Sequence, residues 1–365
     1  MMNRKIAPPI KDATDYNLQL KPYKRFTLDN GVEVYAVDAG NEEVVKAEWV
    51  FYAGNWYEDQ NLVAATTNFL LKNGTAGKSA FEINEHFDYY GAYLNRSCYN
   101  ETASISLHTL SKHLEVLLSA VQDILTDSIL PEDELAIYKQ NNKQRLELNL
   151  KKNEFVANRL IDAYLFGVHH PYGKYSTAEA LDSLDRGQLL SYYDRFYRKG
   201  KCIIFISGKL PAGYEKMLNH YFGSLPFNKE PLPEKVYLPE PAAEKKYRVR
   251  NDSAGVQGAI RIESIFPNRR HPDFVKMQVL NNVFGGFFGS RLMSNIREDK
   301  GYTYGIHSFL KSHLHQNAFM ISTEAGVEVC EAAITEVYKE MQRLRNEPVS
   351  AEELLLVKNF MFGGV

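Results

Sequence analysis

The order of structural landmarks in this 365-residue chain occurs twice. A helix start, a helix-capping signal and a glycine stop fall in each half, at Leu62, Ser79 and Gly91 and again at Pro272, Ser290 and Gly301. Each pair lies 210 or 211 positions apart, which indicates one supersecondary unit used twice. Both copies mix strand-like alternation with helical periodicity. We therefore predict an α+β fold of two homologous sandwich domains.

A proline-rich stretch marks the boundary between the two copies. Five prolines fall within residues 225–244, and such stretches act as semi-rigid spacers. The predicted organisation is an N-terminal arm (1–23), a first domain (24–225), a linker (226–244) and a second domain (245–365). By the repeat offset, the second domain lacks roughly 60 residues, so we expect the sequence to be a fragment or truncated form of a longer chain.

Local patterns predict the elements that surround the candidate sites. Asp29-Asn30-Gly31 between two apolar runs predicts a hairpin, because Asn-Gly tolerates the positive φ of a tight turn. Leu62–Lys72 has helical spacing. Glu132–Phe166 is predicted as one long, bent helix and Ser290–Asp299 as a shorter one.

Composition excludes several classes of function. The net charge is −2 with no basic block, which argues against nucleic acid as a partner. No stretch approaches the ~20 apolar residues of a membrane helix, and the first residues lack the apolar core of a secretory signal. Cys98, Cys202 and Cys330 stand far apart, as in reduced cytoplasmic proteins. We predict a cytoplasmic protein without membrane contact; a periplasmic form stays open.

Two segments in the second half carry a recognisable motif. Residues 289–292 read Gly-Ser-Arg-Leu, and residues 295–304 read Asn-Ile-Arg-Glu-Asp-Lys-Gly-Tyr-Thr-Tyr. Together with the hairpin at residues 26–32 and the segment from residue 53 to 75, they resemble the insulinase-like, or pitrilysin-type, zinc peptidases. This family includes the mitochondrial processing peptidase and core proteins of the respiratory chain. The resemblance covers nearly the whole chain and implies two α/β-sandwich domains of the insulinase-like type.

Active members of that family carry His-x-x-Glu-His on the first helix, where both His bind zinc and the Glu is the general base. The five positions align here in two ways, and neither contains His or Glu: Ala64, Ala65, Thr66, Thr67, Asn68, or Ala65, Thr66, Thr67, Asn68, Phe69. The family's third ligand, a distal Glu, falls at Gln144 or Arg145. The resemblance therefore implies a degenerate site without metal, and a chain that is catalytically inactive alone.

The resemblance also implies a substrate-binding role for the second domain. Arg291 and Tyr304 match the Arg and Tyr that family enzymes present to a peptide, where a guanidinium and a hydroxyl can hold carbonyl oxygens. The alternative is that both residues are structural: Arg291 forms a local ion pair, and Tyr304 is a packed strand residue. Arg297 and Glu298 are predicted to be structural. Gly285, Gly286 and Gly289 predict a flexible loop; a phosphate cradle is disfavoured because no Gly-Lys-Ser/Thr follows.

These observations predict a non-catalytic, substrate-binding subunit of a heterodimeric zinc peptidase. It would supply Arg291 and Tyr304 to a homologous partner subunit that holds zinc on His-x-x-Glu-His, and the pair would act on unfolded peptides. Two alternatives stay open: a scaffold protein of the core-protein type, and a homodimer that binds peptides without cleaving them.

Overall fold

The computed structural model describes residues 19–251 and 254–363, so most of the predicted N-terminal arm lies outside the described residues. The chain forms two compact units. The first comprises Lys21–Asn149 and Phe166–Glu240, and the second comprises Leu150–Leu165 and the chain from Pro241 onward. Both units contain helices and sheet, and the predicted α+β class is confirmed.

The first unit is a six-stranded sheet covered by helices. Its elements are β1 (Lys24–Thr27), β2 (Glu33–Asp38), β3 (Val44–Phe51), α1 (Val63–Leu70), α2 (Ala80–Tyr89), β4 (Tyr93–Cys98), β5 (Ala103–Leu110), α3 (Leu114–Asp127), α4 (Glu132–Leu150), α6 (Ala178–Asp182), α7 (Arg186–Tyr193), β6 (Cys202–Gly208) and α8 (Tyr214–Phe222). A helix α5 (Asn153–Phe166) intervenes between α4 and α6, and almost all of it belongs to the second unit.

Alternating apolar residues position this sheet. Along β3, Val45, Ala47, Trp49 and Phe51 are at most 2% exposed, as expected for a strand with one face in the core. The strand order is β1-β2-β6-β3-β5-β4, and only the β2–β6 pair is parallel. The predicted hairpin joins β1 to β2, with Gly31 at φ 81°.

The second unit repeats the middle of that arrangement. It contains β7 (Gln257–Phe266), α9 (Phe274–Asn281), β8 (Thr303–Lys311), β9 (Asn317–Gly326), α10 (Cys330–Asn346) and α11 (Ala351–Gly363), with π-helical turns at Asn282–Gly286 and Met293–Asp299. Its strand order, β7-β9-β8, is antiparallel throughout and matches β3-β5-β4 of the first unit. The internal repeat expected from the sequence is therefore visible in the topology.

The predicted long helix from Glu132 to Phe166 is two helices, α4 and α5, which separate at residues 151–152. Polar contacts bind α5 to the second unit's sheet. Lys311 contacts the carboxylates of Asp162 and Glu263, and the Arg261 Nε lies 2.6 Å from the Asn158 Oδ1. The two contacts to α5, at Asp162 and Asn158, join residues 149 and 103 positions apart, which local periodicity cannot reveal.

Residues 226–240 pack against the first unit. The Lys235 ammonium lies 3.1 Å from the Tyr57 carbonyl oxygen and 2.7 Å from the Asp59 carboxylate, and the ring of Tyr237 meets that of Trp56 at 4.9 Å. The two compact units therefore do not coincide with the domain and linker boundaries predicted from the sequence. Those boundaries stay a prediction. No helix in the described ranges has the length and apolarity needed to cross a membrane.

Candidate functional site

Helix α1 carries the positions at which the zinc motif would fall. Ala64, Thr67 and Asn68 are at most 3% exposed, so the first of the two alignments points its ligand positions into the core. Ala65 is half-buried, and Phe69 is 45% exposed. Residues four apart share one face of a helix. In the second alignment, the two positions at which the family carries His are Ala65 and Phe69. They therefore lie on the more accessible face of α1.

The surroundings of Phe69 are aromatic and cationic. Its ring lies 4.9 Å from the ring of Tyr138 on α4, and the Arg96 guanidinium lies 4.9 Å above it. Arg96 also donates to the Phe69 carbonyl oxygen and, at 3.2 Å, to the Asn73 side-chain oxygen. A fixed cation repels a metal ion, and aromatic carbon offers it no ligand.

The two positions that could correspond to the family's third zinc ligand, Gln144 and Arg145, do not supply a metal ligand either. Gln144 and Arg145 are exposed on α4, and Arg145 follows Tyr138 by seven residues on the same helical face. No group of three or more His, Cys, Asp or Glu side chains able to hold a metal occurs among the residues that the structure describes. The side chains at the degenerate site do not fit zinc.

Glu58 is a buried carboxyl group that the sequence did not single out. Its side chain is fully buried, and Oε2 accepts a hydrogen bond from the Ala64 N–H at the start of α1, at 3.0 Å. Burial raises the pKa of Glu58 to about 7, while the Ala64 N–H and the Lys174 ammonium, 4.0 Å away, act in the opposite direction. The group caps the N-terminus of α1, where the N-cap residue Leu62 supplies no side-chain acceptor.

In the second unit, Arg291 is held by an acidic partner. Its Nε and Nη2 lie 2.8 and 3.0 Å from the two carboxylate oxygens of Glu353 on α11. The Arg291 side chain is 9% exposed, and its Nη1 is buried without a hydrogen-bond partner among the described residues. The contacts of Arg291 thus go to α11 and not to Tyr304.

Tyr304 projects from a bulge in β8. Thr303 pairs with Ala325 and Ile306 with Thr323, so one extra residue is inserted on β8 at this point. The Thr323 hydroxyl lies 2.9 Å from the Gly305 carbonyl oxygen and 2.8 Å from the Thr303 hydroxyl, which fixes the bulge. Tyr304 is 92% exposed and is not a packed strand residue.

Arg297 is the residue that meets Tyr304. Its guanidinium lies 5.3 Å from the centre of the Tyr304 ring and 4.5 Å from that of Phe288. The sequence interpretation made Arg297 structural. The missed signal is Gly301, whose φ of 66° ends the π-helical turn and reverses the chain, so that residues just before and just after it come together.

The glycine-rich segment is helical at its start. Gly285 and Gly286 end a π-helical turn, and only residues 287–289 form the loop. A Cβ at Gly285 would lie 2.6 Å from the Ser308 Oγ and 2.8 Å from the Ser308 backbone nitrogen. Gly285 therefore allows close packing against β8. At Gly289, in the loop, the atoms nearest to an added Cβ are those of the Phe287 ring. Flexibility of this segment stays a prediction.

Comparison with known proteins identifies relatives over most of the chain. Residues 183–361 match the family described as the peptidase M16 inactive domain. A zinc protease of uncharacterised function from Bacillus subtilis, YmxG, is 24% identical over 345 residues, which cover 94% of this chain and 83% of that protein. A probable mitochondrial-processing peptidase subunit beta from Schizosaccharomyces pombe is 26% identical over 60% of this chain and 48% of its own length.

Solved structures show the same fold. A peptidase M16 inactive domain from Pseudomonas fluorescens superposes with a TM-score of 0.84 at 25% identity, covering 94% of this chain and 84% of that one. A protease from Helicobacter pylori gives a TM-score of 0.81 at 17% identity, covering 95% of this chain and 85% of that one. The likeness extends over both compact units.

Proposed function

Because the chain is a member of the M16, insulinase-like, family of peptidases, we propose that it is the non-catalytic, peptide-binding subunit of a two-subunit zinc peptidase. The family position for zinc in this chain holds no metal-binding side chains. A partner subunit with His-x-x-Glu-His would supply the metal. This chain would supply hydrogen-bond donors to the peptide.

The observation that carries the proposal is the contact between the half-buried Arg297 and the exposed Tyr304. No guanidinium N–H of Arg297 is paired with an acceptor in the described part of the chain, and Tyr304 is 92% exposed. An exposed tyrosine set on a bulge leaves its hydroxyl available to a carbonyl oxygen as negative charge develops there. The neighbouring guanidinium can donate two N–H groups to the same or the next peptide carbonyl.

The role expected of Arg291 stays a prediction. A peptide could reach its guanidinium only if the contact with Glu353 opened, because that carboxylate engages two of the three guanidinium nitrogens and the third nitrogen lies buried. We therefore propose Arg297 as the cationic partner of Tyr304, and Arg291 as the residue that ties the motif to α11.

The test is reconstitution of the enzyme. The full-length chain is purified from its host with its stoichiometric partner, and peptidase activity is measured for the pair and for each subunit alone. We expect activity from the pair only, and its loss on chelation. Tyr304→Phe should lower kcat by roughly 10²-fold, as for removal of one oxyanion donor. Arg297→Ala should weaken peptide cleavage more than Arg291→Ala, and Arg269→Ala is the exposed control.

Other outcomes would favour the alternatives. A pair whose peptidase kinetics are unchanged by Tyr304→Phe and Arg297→Ala contradicts the proposed site. Peptide binding by the chain without a partner would favour the homodimer. Assembly only with proteins that lack the zinc motif would favour the scaffold.

A further inference from the structure

Phe288 lies in the three-residue loop of residues 287–289, and its ring contacts the guanidinium of Arg297. We infer that Phe288 is a positioning residue of the peptide site: together with Tyr304 it holds Arg297 in place before a peptide arrives. This inference rests on the proposed function, because it assigns Phe288 a role through the Arg297–Tyr304 pair.

The energetic argument concerns the flexibility of arginine. A free arginine side chain samples many rotamers, and part of this conformational entropy is lost when it binds a ligand. Contact with two aromatic rings restricts Arg297 beforehand, while its N–H groups remain available for hydrogen bonds. Pre-ordering of this kind increases affinity for a peptide without adding a contact to it.

Helix α11 anchors the loop that carries Phe288. The ring of Phe287 stacks on that of Phe360 with centroids 5.0 Å apart, and Arg291, two residues beyond the loop, is paired with Glu353. The loop is thus fixed to α11 on both sides of Phe288. This geometry determines where the Phe288 ring can lie and directs it toward Arg297.

Phe288 contributes little to the core, since 58% of it is exposed to solvent. Hydrophobic stabilisation is roughly proportional to the apolar area removed from water, so truncation of this side chain is expected to cost little stability. Its contact with Arg297 is the feature that distinguishes it from an ordinary surface phenylalanine.

A double-mutant cycle tests the inference. The reconstituted pair, with the motif Glu of the partner replaced by Gln so that peptide is bound and not cleaved, is titrated with fluorescein-labelled, reduced and carboxymethylated α-lactalbumin. Phe288→Ala should weaken binding by roughly two- to five-fold, the range for an exposed cation–π contact. Phe288→Tyr should restore it. In an Arg297→Ala background, Phe288→Ala should have no further effect. Phe309→Ala, at 40% exposure on β8, is the matched control.

Failure of the inference about Phe288 can be distinguished from failure of the proposed function. If Arg297→Ala and Tyr304→Phe weaken binding while Phe288→Ala does not, the inference is wrong and the proposed function stands. Equal weakening by Phe288→Ala in both backgrounds also overturns it, because Phe288 would then act independently of Arg297. If Arg297→Ala does not weaken binding, and Tyr304→Phe does not lower kcat of the active pair, the proposed function fails and the inference fails with it.

Discussion

Arg291 and Glu353 form a bidentate ion pair that joins the motif of residues 289–304 to α11. The guanidinium Nε and Nη2 lie 2.8 and 3.0 Å from the two carboxylate oxygens. The hydrogen bonds from Arg291 hold the pKa of Glu353 below its ordinary value. The contribution of Glu353 to stability is therefore present at neutral pH and is lost as pH falls through its lowered pKa. The pair is a structural contact between distant parts of the second unit.

Glu353→Gln should destabilise the protein, because it leaves the Arg291 guanidinium largely buried without its countercharge. We expect a loss of about 2–4 kcal/mol, below the range for fully buried pairs since Glu353 is 26% exposed. Urea denaturation measures this change. Glu347→Gln is the matched control: it breaks an exposed pair with Arg343, 2.7 Å long, and should cost less than about 1 kcal/mol. Equal effects of the two variants would contradict the structural role assigned to Arg291.

Gly285→Ala should also be destabilising. An added Cβ would lie 2.8 Å from the Ser308 backbone nitrogen and 2.9 Å from the Leu292 Cδ1, so the segment must move away from β8. We expect a cost of about 1–3 kcal/mol, as for other overpacked sites. Thermal unfolding followed by circular dichroism measures it. Gly77→Ala, where a Cβ meets nothing within 4 Å, is the control. A neutral Gly285→Ala would support the flexible loop predicted from the sequence.

The sequence carried enough information to predict the repeated unit. Alternation along β3 and the Asn-Gly turn are local signals, and the common spacing of landmarks in the two halves is reproduced in the common strand order β3-β5-β4 and β7-β9-β8. The position of α5 was not predictable in this way. Its place in the second unit depends on contacts such as that between Asp162 and Lys311, which lie far apart along the chain.

The candidate site was harder to predict for a geometric reason. The sequence predicts a helix over Ser290–Asp299, and side chains on an ordinary α-helix repeat every 3.6 residues, but Met293–Asp299 is π-helical. A π-helical turn contains more residues, which rotates the following side chains relative to that expectation. Arg297, within this turn, contacts Tyr304, while Arg291, before the turn, contacts α11. Tyr304 itself was identified by resemblance alone, and its exposure depends on a bulge that no local pattern marks.

Glu58 gives stability a specific dependence on pH. Its pKa is raised from the ordinary 4.5 to about 7, so the folded protein binds this proton more tightly than the unfolded chain. Stability should therefore fall as pH rises from 4.5 to 7 and level off above 7, with roughly 3 kcal/mol from this group. Glu263, whose pKa burial also raises to about 7, contributes a second decrease of the same sign.

Glu58→Gln tests this dependence, since the amide oxygen can still accept from the Ala64 N–H but does not titrate. Urea midpoints measured between pH 4.5 and 8 should show a shallower decline for Glu58→Gln than for the unmodified protein. A decline should remain because Glu263 is intact. Glu85→Gln, at an exposed position on α2, should leave the profile unchanged. If Glu58→Gln and the unmodified protein have parallel profiles, Glu58 does not titrate as its burial implies.

Thr323→Val should displace Tyr304 from its position. Thr323 is 1% exposed, and its hydroxyl lies within hydrogen-bond distance of the Gly305 carbonyl oxygen and the Thr303 hydroxyl inside the bulge. Valine has the same shape but removes both contacts, and the Thr303 hydroxyl and the Gly305 carbonyl oxygen then keep only their remaining contacts, such as the one between them at 3.0 Å. We expect a cost of about 1 kcal/mol, as for the loss of a hydrogen bond. The bulge should relax and Tyr304 should lose its orientation, so peptide affinity of the reconstituted pair should fall. Thr323→Ser keeps the hydroxyl and should retain both stability and affinity. Unaltered peptide affinity in Thr323→Val would mean that the bulge does not position Tyr304.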